Sequence, residues 1–215
     1  LMSVWLDGIL VLLVLSNLWL LGSSRLQACI QAVAFQGVLL GLMPLLAKWP
    51  AVSWRLAGVA IVSMAIKAVA LPALLRRAVR EAGVRTEVEP FVGFTTSLLL
   101  SIGTWGLAVH LAGRLPVGAE NVSPLLVPVA IFTVLNGLFL IASRNTAVMQ
   151  SVGYLALENG IYAFGWAFAI EEPLVIELGV LLDVFVAVFV MGIIMHHLTR
   201  EFDSIETDEL ASLKD

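Results

Sequence analysis

The chain has 215 residues, 60% of them hydrophobic and 13% charged, with a net charge of -4; soluble domains carry roughly 25% charged residues. That inventory cannot clothe a water-facing surface, and the acid gathered in residues 201–215 leaves no basic patch for nucleic acid. With Cys29 as its only cysteine, the chain has neither an internal disulfide nor a cysteine cluster for zinc or iron-sulfur ligation.

Apolar runs of about 20 residues, the length that crosses roughly 30 Å of hydrocarbon, recur along the chain. Between polar punctuation they give spans near 4–21, 26–47, 54–75, 92–113, 125–143, 147–169 and 175–197. The first lacks a basic leader and reads as a span rather than a signal peptide. Lipid leaves backbone groups no partner but the segment's own, so the spans are helical. Runs such as residues 184–194 lack the alternation of a barrel strand. The expected fold is therefore an all-α bundle of about seven transmembrane helices. It divides into a four-helix segment (1–124), a three-helix segment (125–199) and an acidic tail (200–215).

Basic residues set the expected orientation. Arg25, Arg76, Arg77, Arg80, Arg85, Arg144, Arg200 and Lys214 fall on one side of alternating loops, and Lys48, Arg55 and Arg114 on the other. The positive-inside rule puts the N terminus outside and the C terminus inside. Trp5, Trp19, Trp49 and Trp54 stand near the interfaces, as an aromatic belt does.

The informative residues are those that lipid should exclude. Lys67 lies about 12 Å above the inner end of the third span, five residues before Pro72, which would kink the helix or free a carbonyl. Glu158 and Asp183 lie roughly 16 and 12 Å from the outer face, in the sixth and seventh spans. A carboxylate at that depth costs about 3 kcal/mol, so it must face the bundle interior, pair, or stay protonated. For each acid there are two readings: exchange of protons with a buried hydrated path, or a neutral hydrogen bond to a neighbouring helix. Lys67 is either a cation answering the charge of a nearby acid or one half of a structural salt bridge.

Glu177 is near the outer end of its helix, where it can reach water, and Glu171 and Glu172 read as loop. Gln31, Gln36, Thr95, Thr96, Ser97, Ser101, Thr104, Thr133 and Asn136 read mostly as interhelical hydrogen bonds. His110 and the pair His196 and His197 fall near span ends, where water reaches them. Glu177, Asn159, Asn136 and His110 form a secondary set of candidate pathway residues. There is no nucleophile-base arrangement, phosphate-binding glycine loop or metal-ligand spacing, so an active site within this chain is not expected.

The last three spans resemble the K-type subunit of respiratory complex I and the C subunit of Mrp-type antiporters. The shared features are Ser143-Arg144-Asn145, the stretch 153–159 around a mid-helix glutamate, and an acid in the next span followed by a long aliphatic run. That resemblance implies a proton-carrying axis with Glu158 as its first acid and Asp183 as its second, although the K-type subunit usually has glutamate at the second place. Over nearly its whole length the chain also resembles the hydrogenase-4 component E family, membrane subunits of formate-hydrogenlyase-like and other group 4 hydrogenase complexes. Lys67 with Pro72, Ser143-Arg144-Asn145, Gly153-Tyr154, Glu158-Asn159-Gly160, Glu177-Leu178-Gly179 and Asp183 carry this likeness.

The resemblance implies a subunit of a bacterial or archaeal cell membrane that binds no cofactor itself. Its partners would be antiporter-like membrane subunits and peripheral redox subunits holding iron-sulfur clusters and a nickel-iron site. The expected function is movement of protons or sodium through Lys67, Glu158 and Asp183. The alternatives are an anchoring subunit that moves no ion, and an autonomous small-solute transporter; no internal repeat of the kind such transporters often carry is evident.

Overall fold

The computed structural model describes residues 2–81, 93–115, 123–144, 146–168 and 192. They fold into helices α1 (Met2–Gly22), α2 (Leu26–Ala47), α3 (Trp54–Ala65), α4 (Leu71–Glu81), α5 (Phe94–Ala112), α6 (Leu126–Ser143) and α7 (Ala147–Phe168). A π-helical turn, Ile66–Ala70, joins α3 to α4 in one rod. Among the described residues there is no strand, and five stretches are long and apolar enough to cross a membrane: Val4–Gly22, Leu26–Ala47, Trp54–Arg77, Thr95–Ala112 and Leu126–Ser143. These bounds agree with the expected spans to within a few residues. The more polar α7 equals α2 in length, 22 residues each. The seventh expected span, with Glu177, Asp183, His196 and His197, lies outside the described residues.

Local chemistry accounts for several boundaries. Ser53 caps α3, its hydroxyl accepting from the Leu56 N–H at 3.2 Å, which satisfies one of the orphan donors of a helix start. Pro72 has no N–H to return to the previous turn, and its ring crowds the carbonyl four residues earlier. The helix accommodates it by widening into the π turn just before it, where the Leu71 N–H reaches back to the Ile66 carbonyl. The kink or freed carbonyl expected from Pro72 thus takes the form of a wider turn, and Lys67 sits inside it.

Packing places α7 against α6 and α2, and α1 against α2, α5 and α6. The closest approach is between α6 and α7. A Cβ added to Gly137 would collide with the backbone of Leu157, and one on Gly160 would meet the Val134 nitrogen at 2.6 Å. Small residues that let two backbones touch are how helices associate in lipid, where apolar side chains gain nothing by leaving the solvent.

The buried interior is divided. One apolar cluster gathers Leu20, Leu26, Ile30, Leu75, Leu140, Met149 and Val152 toward the end of the bundle that bears Arg25, Arg76 and Arg144. The other gathers Leu6, Leu10, Leu40, Met43, Leu126, Ala163 and Trp166 toward the opposite end. Between them, halfway along the helices, lie the buried polar residues Ser16, Asn17, Gln36, Lys67, Thr133, Asn136, Glu158 and Asn159.

The outer faces are apolar. Trp5, Trp19, Trp49 and Trp54 are all at least 66% exposed, which fits the expected aromatic belt. On α5, Leu98, Leu99, Leu100, Ile102, Leu107 and Val109 face outward.

Candidate functional site: a buried ion pair in a polar layer

Lys67 and Glu158 form an ion pair, Nζ to Oε1, with 3% of each side chain exposed. The pair joins the π turn to the middle of α7. Gly37 on α2 makes room for it: a Cβ there would lie 2.6 Å from the Lys67 Cβ. The Lys67 ammonium also lies 5.4 Å from the centre of the Tyr162 ring, one turn beyond Glu158, within reach of a cation–π contact. Lys67 Nζ donates further to Asn159 Oδ1 at 3.4 Å.

From Asn159 a chain of side chains runs across three further helices. Asn159 Nδ2 donates to Gln36 Oε1 at 3.3 Å. Gln36 Nε2 donates to Ser16 Oγ at 3.0 Å and to Asn17 Oδ1 at 3.3 Å. Asn17 Nδ2 donates to Thr133 Oγ1 at 2.9 Å and to the Leu13 carbonyl at 3.0 Å. The two hydroxyls close the chain on their own helices, Ser16 donating to Leu13 O and Thr133 to Val129 O, both at 2.8 Å.

This arrangement decides what each part can do. An ammonium can release a proton and a carboxylate can take one up. A carboxamide holds its protons firmly and contributes an oriented dipole, and here every hydroxyl proton ends on a backbone carbonyl. Protons therefore have no continuation along the chain through Gln36 and Asn17. The chain locks α1, α2, α6 and α7 at one level, and the ionisable chemistry stays at Lys67 and Glu158. Burying the two charges is tolerable because each satisfies the other, and Asn159 Oδ1 and the Tyr162 ring face the ammonium as well.

The expected site residues are thus distributed. Lys67, Glu158 and Asn159 come together. Asn136 lies in the same layer, 1% exposed, on α6. His110 is exposed on the last turn of α5, near its end and away from the pair. Asp183 and Glu177 lie outside the described residues. Ser16, Asn17 and Tyr162 were not singled out in the sequence. An adjacent serine and asparagine deep in the first apolar run was the available signal for two of them.

A second buried cation, Arg144, lies between α6 and α7, 1% exposed. Its Nη2 donates to the Leu21 carbonyl at 3.2 Å, at the end of α1, one of the carbonyls a helix leaves unbonded at its C terminus. Burial pushes its guanidinium below the usual arginine range. The orientation rule counts Arg144 as a loop charge; in the structure it is a packed part of the helix junction.

No protein-family model matches the chain, and no solved structure matches it. Over 204 residues it is 35% identical to a Mycobacterium tuberculosis protein, Uncharacterized protein Rv0085, covering 94% of this chain and 93% of that one. Over 101 residues it is 31% identical to Hydrogenase-4 component E of Escherichia coli K12, covering 47% of this chain and 46% of that protein. The Shigella flexneri protein of the same name matches equally.

Proposed function

Because the chain belongs to the same family as Rv0085 of Mycobacterium tuberculosis, with a partial relation to hydrogenase-4 component E, we propose that it is a multi-pass subunit of a hydrogenase-like or complex-I-like membrane assembly. In this reading it helps move protons, or sodium, and Lys67 and Glu158 are the exchange site. The observation that carries it is a titratable ion pair at mid-depth, set in a π turn. Single π turns inside α-helices occur often at functional sites, and intramembrane ionisable residues mark ion paths.

The proposed step is electrostatic. A proton delivered to Glu158 neutralises the carboxylate and leaves the Lys67 ammonium without its counter-charge. The ammonium then either passes a proton on or turns toward Asn159 Oδ1 and the Tyr162 ring, which hold it in the meantime. The pair is reset when the Glu158 carboxyl gives up that proton, either to the amine that has passed its own on or toward the next site, and the ammonium again faces a carboxylate. Asp183 in the following span is the proposed next site. The driving redox event, with its iron-sulfur and nickel-iron groups, belongs to partner subunits, alongside antiporter-like membrane subunits in a bacterial or archaeal cell membrane.

The anchoring alternative also has an observation in its favour, since the same ion pair ties α7 to the α3–α4 rod. Glu158→Gln in the native complex separates the two. The conducting reading expects ion uptake by energised vesicles to fall roughly a hundredfold, the scale of a lost proton-transfer group, while electron transfer persists in part. Unchanged uptake in the assembled variant contradicts it. Isolation in mild detergent tests the setting: co-purification with several unrelated proteins is expected, and a homo-oligomer alone favours an autonomous transporter.

A further inference from the structure

Three buried hydroxyls in this bundle return to their own helix. Ser16 donates to Leu13 O, Thr133 to Val129 O and Ser97 to Gly93 O. Ser101 on α5 does not: its Oγ is buried and, among the described residues, has no hydrogen-bond partner. Neither Nδ2 nor Oδ1 of Asn136 on α6 has one either. Both residues are 1% exposed.

The two orphans share a level. Trp105 of α5 meets Phe132 of α6 edge to face, ring centres 5.2 Å apart at 88°. Ala112, past Trp105, and Leu125, before Phe132, pack on the same apolar cluster, so the two helices run antiparallel. One turn back from Trp105 along α5 is Ser101, and one turn forward from Phe132 along α6 is Asn136. In an antiparallel pair those steps go the same way.

A buried amide missing both its donor and its acceptor bonds loses the desolvation free energy of each group, about 1–3 kcal/mol apiece. One hydroxyl and one carboxamide at the same level offer a donor, an acceptor and a group that is both, the two to four partners that an internal water takes. We propose that Ser101 and Asn136 bind one internal water molecule between α5 and α6, which extends the polar layer from Thr133, one turn from Asn136, across to α5. This hydration site does not depend on ion conduction.

The test is water-edited solid-state NMR on the full chain in lipid bilayers. The Asn136 side-chain amide and the Ser101 β-protons are expected to show cross-peaks to water, and the Asn17 amide, whose bonds are all to protein, is expected to show none. The Ser101 cross-peak should be lost in Asn136→Leu, and the Asn136 cross-peak should weaken in Ser101→Ala. Absence of a cross-peak at Asn136 in the unaltered chain overturns the proposal, as does a Ser101 cross-peak that survives Asn136→Leu. Thermal unfolding gives an independent reading. Loss of a bound water makes Asn136→Leu lower the midpoint, whereas a dry orphan replaced by an apolar group of similar size raises it.

Discussion

Two cations, Lys67 and Arg144, are buried among the described residues, and the lipid-facing chain treats them differently. Lys67 lies mid-depth against a carboxylate that can take up or release a proton. Arg144 lies at a helix junction, donating to a backbone carbonyl whose dipole is permanent. A guanidinium does not give up its proton in a protein, and an ammonium beside a carboxylate can. The first arrangement is built from two groups whose chemistry allows proton exchange, and the second is not. Burial of a charge is therefore no sign of function by itself; the ability of its partner to change state is.

The largest expected effect on stability comes from removing one member of the Lys67–Glu158 pair. Breaking a buried pair costs about 3–5 kcal/mol while the survivor stays charged. The survivor escapes by changing protonation, so the two variants should respond to pH with opposite sign. Lys67→Met leaves a carboxylate that acid neutralises, and its stability should fall as pH rises. Glu158→Met leaves an ammonium that base neutralises, and its stability should fall as pH falls. Thermal unfolding in detergent across pH reads both, and parallel slopes would erase the distinction drawn here.

Gly137→Ala should come next. The added methyl would meet the Leu157 backbone, and overpacking costs about 1–3 kcal/mol. The same change at Gly103, whose Cβ would meet nothing within 4 Å, is its control. Arg144→Met should cost about 1–3 kcal/mol by stranding a buried carbonyl, and unlike the Lys67 variant it should show no added pH dependence. An effect of about the same size is expected for Gln36→Leu. It removes bonds to Ser16, Asn17 and Asn159, but side-chain bonds between membrane helices average about 0.6 kcal/mol each. A loss several times larger would mean that the amide chain carries the pair's position as well as its own bonds.

The spans were legible because length and apolarity are properties of single segments. Lys67 and Glu158 stood out for the same reason: each breaks an apolar run. Their pairing was only half legible: Lys67 was expected beside some acid, but nothing in the spacing of one helix says which other helix its face meets. Gln36 and Thr133 were read as interhelical hydrogen bonds and are so bonded. Ser16 and Asn17 passed unremarked, since two polar residues barely dent the hydropathy of a 19-residue span. The π turn had a local cause in Pro72, but only the packed rod shows that it brackets Lys67.

The most direct test replaces both members of the pair at once. Apolar substitution of a complete buried ion pair is often neutral or stabilising, so Lys67→Met/Glu158→Met should assemble as well as the unaltered chain and remove the strut and the exchange site together. Ion uptake by energised vesicles containing that complex, measured beside its electron-transfer rate, is the deciding measurement. We expect electron transfer to continue and uptake to be lost; uptake at the unaltered level would contradict the assignment of Lys67 and Glu158 as the exchange site.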